Sequence, residues 1–147
     1  EMFEAVGQEY WPRYFQVLRE RLKGGAKAAL QIITIADHAF EGYARRPDFI
    51  QRYIFPGGML PSPALLDQEF KNAGLRKVAE ECFGQSYAQT LAEWNRRFQS
   101  AWPALRQAGG FDLRFRRMWE YYLAYCEAGF RAGQLDVLRV SLTRDGA

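Results

Sequence analysis

An amphipathic stretch, a Gly24-Gly25 pair, and then the run AKAALQIITIA from Ala26 to Ala36 together constrain this chain more than any other feature. A helix stopped by glycines and followed by a short, β-branched, nearly continuous apolar run is the second half of a βαβ unit. A strand apolar on both sides belongs to a parallel sheet with helices above and below, so the fold expected is α/β. The first strand of that unit would lie before residue 1. The chain also opens on Glu1-Met2-Phe3-Glu4 rather than on an initiating methionine. The sequence therefore reads as the excised or trimmed carboxy-terminal portion of a larger α/β enzyme.

The remaining elements follow from spacing and punctuation. Ala5 to Lys23 has a stripe of Trp11, Phe15, Leu18 and Leu22, and Pro12 predicts that the true start is near Tyr10 to Trp11. His38 to Tyr43 suggests a short helix, followed by an irregular segment that ends in Tyr53-Ile54-Phe55-Pro56-Gly57-Gly58. Ser62 as N-cap and Pro63 at the first helical position start another helix, with Leu66, Phe70 and Ala73 inward and Gly74 at its end. Leu75 to Phe83 reads as a weaker strand. Two long helices follow, one carrying Leu91, Trp94, Phe98, Trp102 and Leu105, the other Phe115, Met118, Trp119, Tyr122, Cys126 and Phe130. Pro103 predicts a break or kink in the first. Leu135, Val137, Val140 and Leu142 suggest a final, antiparallel strand.

Composition excludes several classes. Eleven Phe, eight Tyr and four Trp imply a packed domain rather than a disordered chain. A net charge of +3 does not mark a nucleic-acid binder. Cys82, Cys126 and the single His38 cannot furnish a structural metal site. The two cysteines read as free thiols of a reducing cytoplasm. No run is long and apolar enough to span a bilayer.

Six phrases, in order, carry a resemblance: EMFEAVG at 1–7, LQIITI at 30–35, RYIFPGGMLPS at 52–62, FGQSYAQTLAEW at 83–94, FRRMWEYYLAYCEAGFRAG at 115–133, and the closing strand. With them the chain resembles the cyclopropane fatty-acid synthase family of S-adenosylmethionine-dependent methyltransferases along essentially its whole length. The resemblance implies the C-terminal part of the class I, Rossmann-like methyltransferase fold, with inserted helices over the active site. Residues 1–147 would be the C-terminal portion of the methyltransferase domain, without its N-terminal cofactor-binding half. No glycine-rich turn between a strand and a helix occurs here; Gly57-Gly58 and Gly109-Gly110 are isolated pairs. No cofactor-binding residue is therefore assigned, and the isolated chain is expected to be inactive.

The family reaction adds a methylene from S-adenosylmethionine across a cis double bond of a phospholipid acyl chain. Methyl transfer to an alkene leaves positive charge on the chain, so the site must be dry, cation-tolerant and equipped with a base. The resemblance makes that base a bound bicarbonate. Glu4 matches the carboxylate that holds it, Ile33 a backbone contact and Tyr87 a hydroxyl contact. Gln31 stands where well-known members have His; its amide can donate a hydrogen bond but cannot titrate. Cys126 matches a cysteine once counted as an active-site residue, and its position on an apolar stripe equally suits a core or pocket-lining thiol. Tyr121, Tyr122, Phe130 and Trp94 are candidates for an acyl channel, although aromatic stripes usually serve as core.

The partners implied are a phospholipid acyl chain and, through Arg96-Arg97, Arg114 and Arg116-Arg117, peripheral contact with an anionic membrane surface. The location implied is cytoplasmic, at the inner membrane surface. An exposed sheet edge and apolar surface, where the missing half would pack, would allow self-association into a homo-oligomer. Two other readings stay open: a C-methyltransferase that leaves a methyl or methylene branch or uses another acceptor, and a non-catalytic lipid-surface or partner-binding module.

Overall fold

The computed structural model describes residues 2–144; Glu1, the first residue of the EMFEAVG phrase, lies outside the described residues. The chain begins with two single 3-10 turns, Phe3–Ala5 and Gln8–Tyr10. Helix α1 then runs over Trp11–Arg21, starting where Pro12 predicts. Strand β1 (Lys27–Ile35) leads into α2 (Asp37–Arg45), α3 (Phe49–Tyr53) and α4 (Pro63–Asn72). Strand β2 (Leu75–Cys82), the long helices α5 (Gly84–Ala108) and α6 (Leu113–Arg131), and strand β3 (Leu135–Arg144) complete it.

The three strands form one sheet in the order β1-β3-β2, and β3 is antiparallel to both neighbours. This bears out the antiparallel final strand. It corrects the reading of β1 as a strand buried on both faces; the parallel partner expected for it would lie before residue 1, and the ladder with β3 does not bear on that. Among the described residues its ladder partner is β3, and only the C-terminal half is buried, at Ile32, Thr34 and Ile35. Among the described residues one edge of β1 meets no other strand, which leaves its first half exposed or only half-buried. Parallel direction occurs among them only between β1 and β2, which flank β3 without touching.

Successive residues of a strand face opposite sides, and the sheet divides the core accordingly. On one side Ile32, Leu138, Val140 and Leu142 pack with Trp11 and Phe15 of α1, Leu66 and Phe70 of α4, and Phe3. On the other, Val137 and Ile33 pack with Ala88 and Leu91 of α5 and Leu123 and Phe130 of α6. The result is helix, sheet, helix in three layers. Phe15, Ile32, Leu66, Val140 and Leu142 are completely shielded. Beside α1 and the first half of β1 the surface is open and apolar. One hollow of about 530 Å³ is lined by Met2, Val6, Tyr10 and Tyr14 among others, and Met2 and Tyr10 remain more than half exposed.

Three further local expectations are revised. Helix α5 does not break at Pro103; it is continuous from Gly84 to Ala108. Packing against α6 holds the turns that precede the proline. Phe98 meets Phe115 and Trp119, and the guanidinium of Arg116 sits 5.5 Å over the Trp102 ring. Ser62 occupies the N-cap position of α4, but its side chain does not cap. Asp37, at the start of α2, accepts from the Ala64 N–H at 3.0 Å instead. The Ser62 hydroxyl hydrogen-bonds to Asp37, and these two bonds hold that carboxyl below its ordinary range. Finally, the segment read as irregular contains α3, which has a full capping box between Asp48 and Gln51.

Candidate active site

Ligands of open α/β sheets collect at the carboxyl ends of the strands, and the sequence-assigned residues converge there. In β1 the register with β3 leaves the backbone N–H groups of Ile33 and Ile35 pointing away from the ladder. Ile35 donates to the Pro61 carbonyl at 3.0 Å. Ile33 donates to Oε1 of Glu4 at 2.6 Å. A backbone donor thus holds the carboxylate of the first 3-10 turn against the strand. The charge of Glu4 also acts on Tyr14, whose phenol is pushed up mainly by burial and secondarily by that charge.

The main chain of Glu4 is fixed as well. Its carbonyl accepts from the Met59 N–H at 2.9 Å, in the turn that follows α3. That turn packs closely: a Cβ on Gly58 would lie 3.1 Å from the Phe55 carbonyl and 3.6 Å from that of Glu4.

Ile33 links Glu4 to the aromatic side of the site. Its side chain packs in the cluster that includes Tyr87, Tyr122, Cys126 and Phe130. Tyr87 contacts Phe130 with ring centroids 5.1 Å apart and Trp94 at 6.0 Å. Tyr122 meets Trp119 at 5.1 Å and Phe55 at 6.2 Å. Burial pushes the Tyr122 phenol up to about 12, with smaller contributions from Cys126 and Tyr87. Cys126 is also pushed up to about 12, by burial first and then by the charge of Asp48. A thiol held there stays protonated at neutral pH and is a poor nucleophile. The geometry favours the packing role for Cys126.

The acyl-channel candidates divide. Tyr122 borders the Ile33–Tyr87 cluster. Phe130 is only 2% exposed and serves as core beneath Tyr87. Trp94 is 44% exposed on the outer side of Tyr87. Tyr121 turns away from the cluster, packing edge-on to Phe49 of α3 at 4.6 Å and stacking on Tyr125. Gln31 shares the face of Ile33, two residues earlier on β1 and opposite Arg139 of β3, and is exposed. The structure thus joins Glu4 directly to Ile33, and it places Ile33 and Tyr87 against one buried cluster.

Phe55 was missed by residue-level reading although it lies within the quoted RYIFPGG phrase. Its aromatic ring against Tyr122 is the signal. Asp48 was missed too; its Oδ2 accepts from the Tyr125 hydroxyl at 3.0 Å and ties α3 to α6. The arginine-rich stretches are largely spent on their own helix faces: Arg96 and Arg97 both engage Glu93, and Arg116 engages Glu120.

No glycine-rich cradle for a nucleoside occurs among the described residues. Gly84 does stand between β2 and α5, but its N–H is taken by Oδ1 of Asp136 at 2.8 Å. Nor do the described residues contain a group of three or more His, Cys, Asp or Glu able to hold a metal ion. Among them no helix is long and apolar enough to cross a membrane.

The sequence matches the family model for mycolic acid cyclopropane synthetase over residues 1–140. It is 46% identical over 147 residues to tuberculostearic acid methyltransferase UfaA1 of Mycobacterium tuberculosis, covering 99% of this chain and 34% of that protein. It is 33% identical over 143 residues to the cyclopropane-fatty-acyl-phospholipid synthase of Escherichia coli K12, covering 97% of this chain and 36% of that protein. Among solved structures, the cyclopropane synthase MmaA2 from Mycobacterium tuberculosis superposes with a TM-score of 0.85 at 22% identity, covering 97% of this chain and 52% of that one. At that identity the likeness is one of fold. The chain thus spans about a third of the length of these curated relatives. Its architecture is the C-terminal part of the class I methyltransferase fold.

Proposed function

This chain belongs to the mycolic acid cyclopropane synthetase family, and from that premise we propose that it forms the acceptor side of the active site of an S-adenosylmethionine-dependent lipid methyltransferase, adding a methylene to the cis double bond of a phospholipid acyl chain. The observation that carries the reading is Glu4, held by the Ile33 N–H at the carboxyl end of β1, with Ile33, Tyr87 and Tyr122 each packed against one buried cluster on that side of the sheet.

The described residues do not fit the methyl donor, and no step on its side is assigned to them. The donor set does fit bicarbonate. Glu4 offers an acceptor for its O–H, while the Tyr87 hydroxyl and the Gln31 amide are of the type that donates to its oxygens. When bound, that ion supplies a base of suitable strength for the last proton. Ile33 serves it through Glu4, because the Ile33 N–H is already committed to the carboxylate. The faces of Tyr87, Tyr122 and Phe55 lower the energy of positive charge developing on the acyl chain without attacking it. The apolar cluster behind them keeps water from trapping that charge. On this reading the 147 residues alone are inactive.

The test is methyl transfer by the full-length gene product from labelled S-adenosylmethionine to cis-unsaturated phospholipid. Label incorporation that falls in carbonate-free buffer and returns with added bicarbonate supports the reading. Transfer only to some other acceptor refutes the substrate assignment. A second product is favoured by one observation: the relative named as a methyltransferase is 46% identical, and the one named as a cyclopropane synthase 33%. A methylene branch in place of a ring follows if a hydride first shifts from the methylated carbon to the neighbouring cation, so that the new methyl then loses its proton to form an exocyclic double bond; a saturated methyl branch further requires an external hydride donor. Proton NMR of the product separates the two.

A further inference from the structure

The peptide unit between Gly58 and Met59 is bonded on both sides. Its N–H donates to the Glu4 carbonyl at 2.9 Å. Its C=O accepts from the side-chain amide of Gln51, Nε2, at 3.0 Å. The other end of the same Gln51 side chain, Oε1, accepts from the Asp48 N–H at 3.0 Å, and Oδ1 of Asp48 accepts from the Gln51 N–H at 2.9 Å. Gln51 therefore spans the cap of α3 and the turn that holds Glu4.

We infer that Gln51 is a positioning residue for Glu4, acting through the Gly58–Met59 peptide. The inference rests on the reading above, in which Glu4 works at the reaction centre. Three physical points carry it. First, the carbonyl and N–H of one trans peptide point in opposite directions, so fixing one fixes the other. Second, a peptide that follows two glycines resists rotation less than most, and Gly57 has a φ of +83°. An external clamp is needed to keep the N–H aimed at Glu4. Third, a peptide whose carbonyl accepts a hydrogen bond is a stronger donor at its nitrogen. The Gln51 amide thus both orients and strengthens the Met59–Glu4 bond. The clamp is itself anchored, because the Tyr125 hydroxyl holds Asp48 from α6.

The experiment uses the full-length gene product with Gln51→Glu and Gln51→Leu, beside Glu4→Gln. Gln51→Glu keeps an oxygen for the Asp48 N–H but loses the donor to Gly58. A shift of Glu4 by a fraction of an ångström then lowers kcat about tenfold or more with KM nearly unchanged. Protonation of the new carboxyl restores a donor, so the ratio of Gln51→Glu to wild-type kcat rises as pH falls from about 6 to about 4.5. Gln51→Leu loses activity at every pH without that recovery. If Gln51→Leu does not fold, Gln51→Glu, which retains the cap, decides the matter. Wild-type kcat in Gln51→Glu, or a loss with no pH recovery, overturns the inference. If Glu4→Gln is inactive while the Gln51 variants are not, only the inference fails. If Glu4→Gln itself keeps wild-type kcat, the proposed function fails and the inference falls with it.

Discussion

Oε1 of Glu4 accepts a 2.6 Å hydrogen bond from the backbone N–H of Ile33, joining residues 29 positions apart at the end of one strand. A backbone N–H cannot be mutated away, but the charge it holds can. Glu4→Gln preserves an oxygen for Ile33 and removes the negative charge. Its kcat in the full-length protein falls about 10²-fold or more, the range expected when the base that Glu4 holds is no longer kept in place. Equal rates for Glu4→Gln and wild type under saturating substrate would remove Glu4 from the chemistry.

Cys126 supplies the opposite expectation. With its thiol pushed up to about 12, roughly one molecule in ten thousand carries a thiolate at pH 8. Cys126→Ala retains kcat within about threefold, and iodoacetamide labels this position far more slowly than a free thiol. Rapid alkylation at pH 8 with parallel loss of activity would contradict it.

Gly84 cannot accept a side chain. A Cβ there would lie 2.7 Å from Oδ1 of Asp136, 3.1 Å from its Cα and 3.2 Å from Cδ1 of Phe130. The carboxyl is itself pinned by the N–H groups of Gly84 and Val137, so it cannot move aside freely. Gly84→Ala costs about 1–3 kcal/mol, read as a lower urea midpoint. Because the strain enters between β2 and α5, it also disturbs Phe130 beneath Tyr87.

Alkaline titration tests the buried phenols. Tyr43 and Tyr122 are both pushed up to about 12, chiefly by burial, against about 10 in an unfolded chain. A group whose pKa rises on folding stabilises the fold fully below the unfolded value and loses that contribution as pH climbs through the folded one. Their contribution is therefore present to about pH 10 and disappears between about 10 and 12. The fall in urea midpoint over that window is smaller in Tyr43→Phe/Tyr122→Phe than in wild type. An unchanged fall would show that these phenols are not shielded.

Much of this was legible in the sequence because it is local. Pro12 fixes the start of α1, the β-branched run fixes β1 to within a residue or two, and Gly74 and Gly133 stop their helices at positive φ. The capping box of α3 was also readable as Asp48 followed three residues later by Gln51, but a helix of five residues gives too little periodicity to prompt the search. What could not be read is tertiary. The cap of α4 comes from Asp37, 27 positions from the N–H it binds. Burial of a strand face depends on what lies beside it, so the incompletely buried first half of β1 could not be read from its apolar run. The grouping of Glu4, Ile33 and Tyr87 was reached through resemblance, since a lone glutamate near a helical turn carries no signal of its own.

The strand order β1-β3-β2 has a consequence for synthesis. Of the three strands, the one translated after the other two, Leu135–Arg144, is the one to which both bond. Until it emerges from the ribosome, β1 and β2 have no ladder between them, and α5 and α6 have no sheet to lie on. Helices can form on the nascent chain, but the sheet closes in a single late event across long sequence separations. A polypeptide stopped short of residue 135 would keep every residue from Glu4 to Phe130 yet lack the middle of its sheet, leaving two open strand edges for chaperones or aggregation to claim.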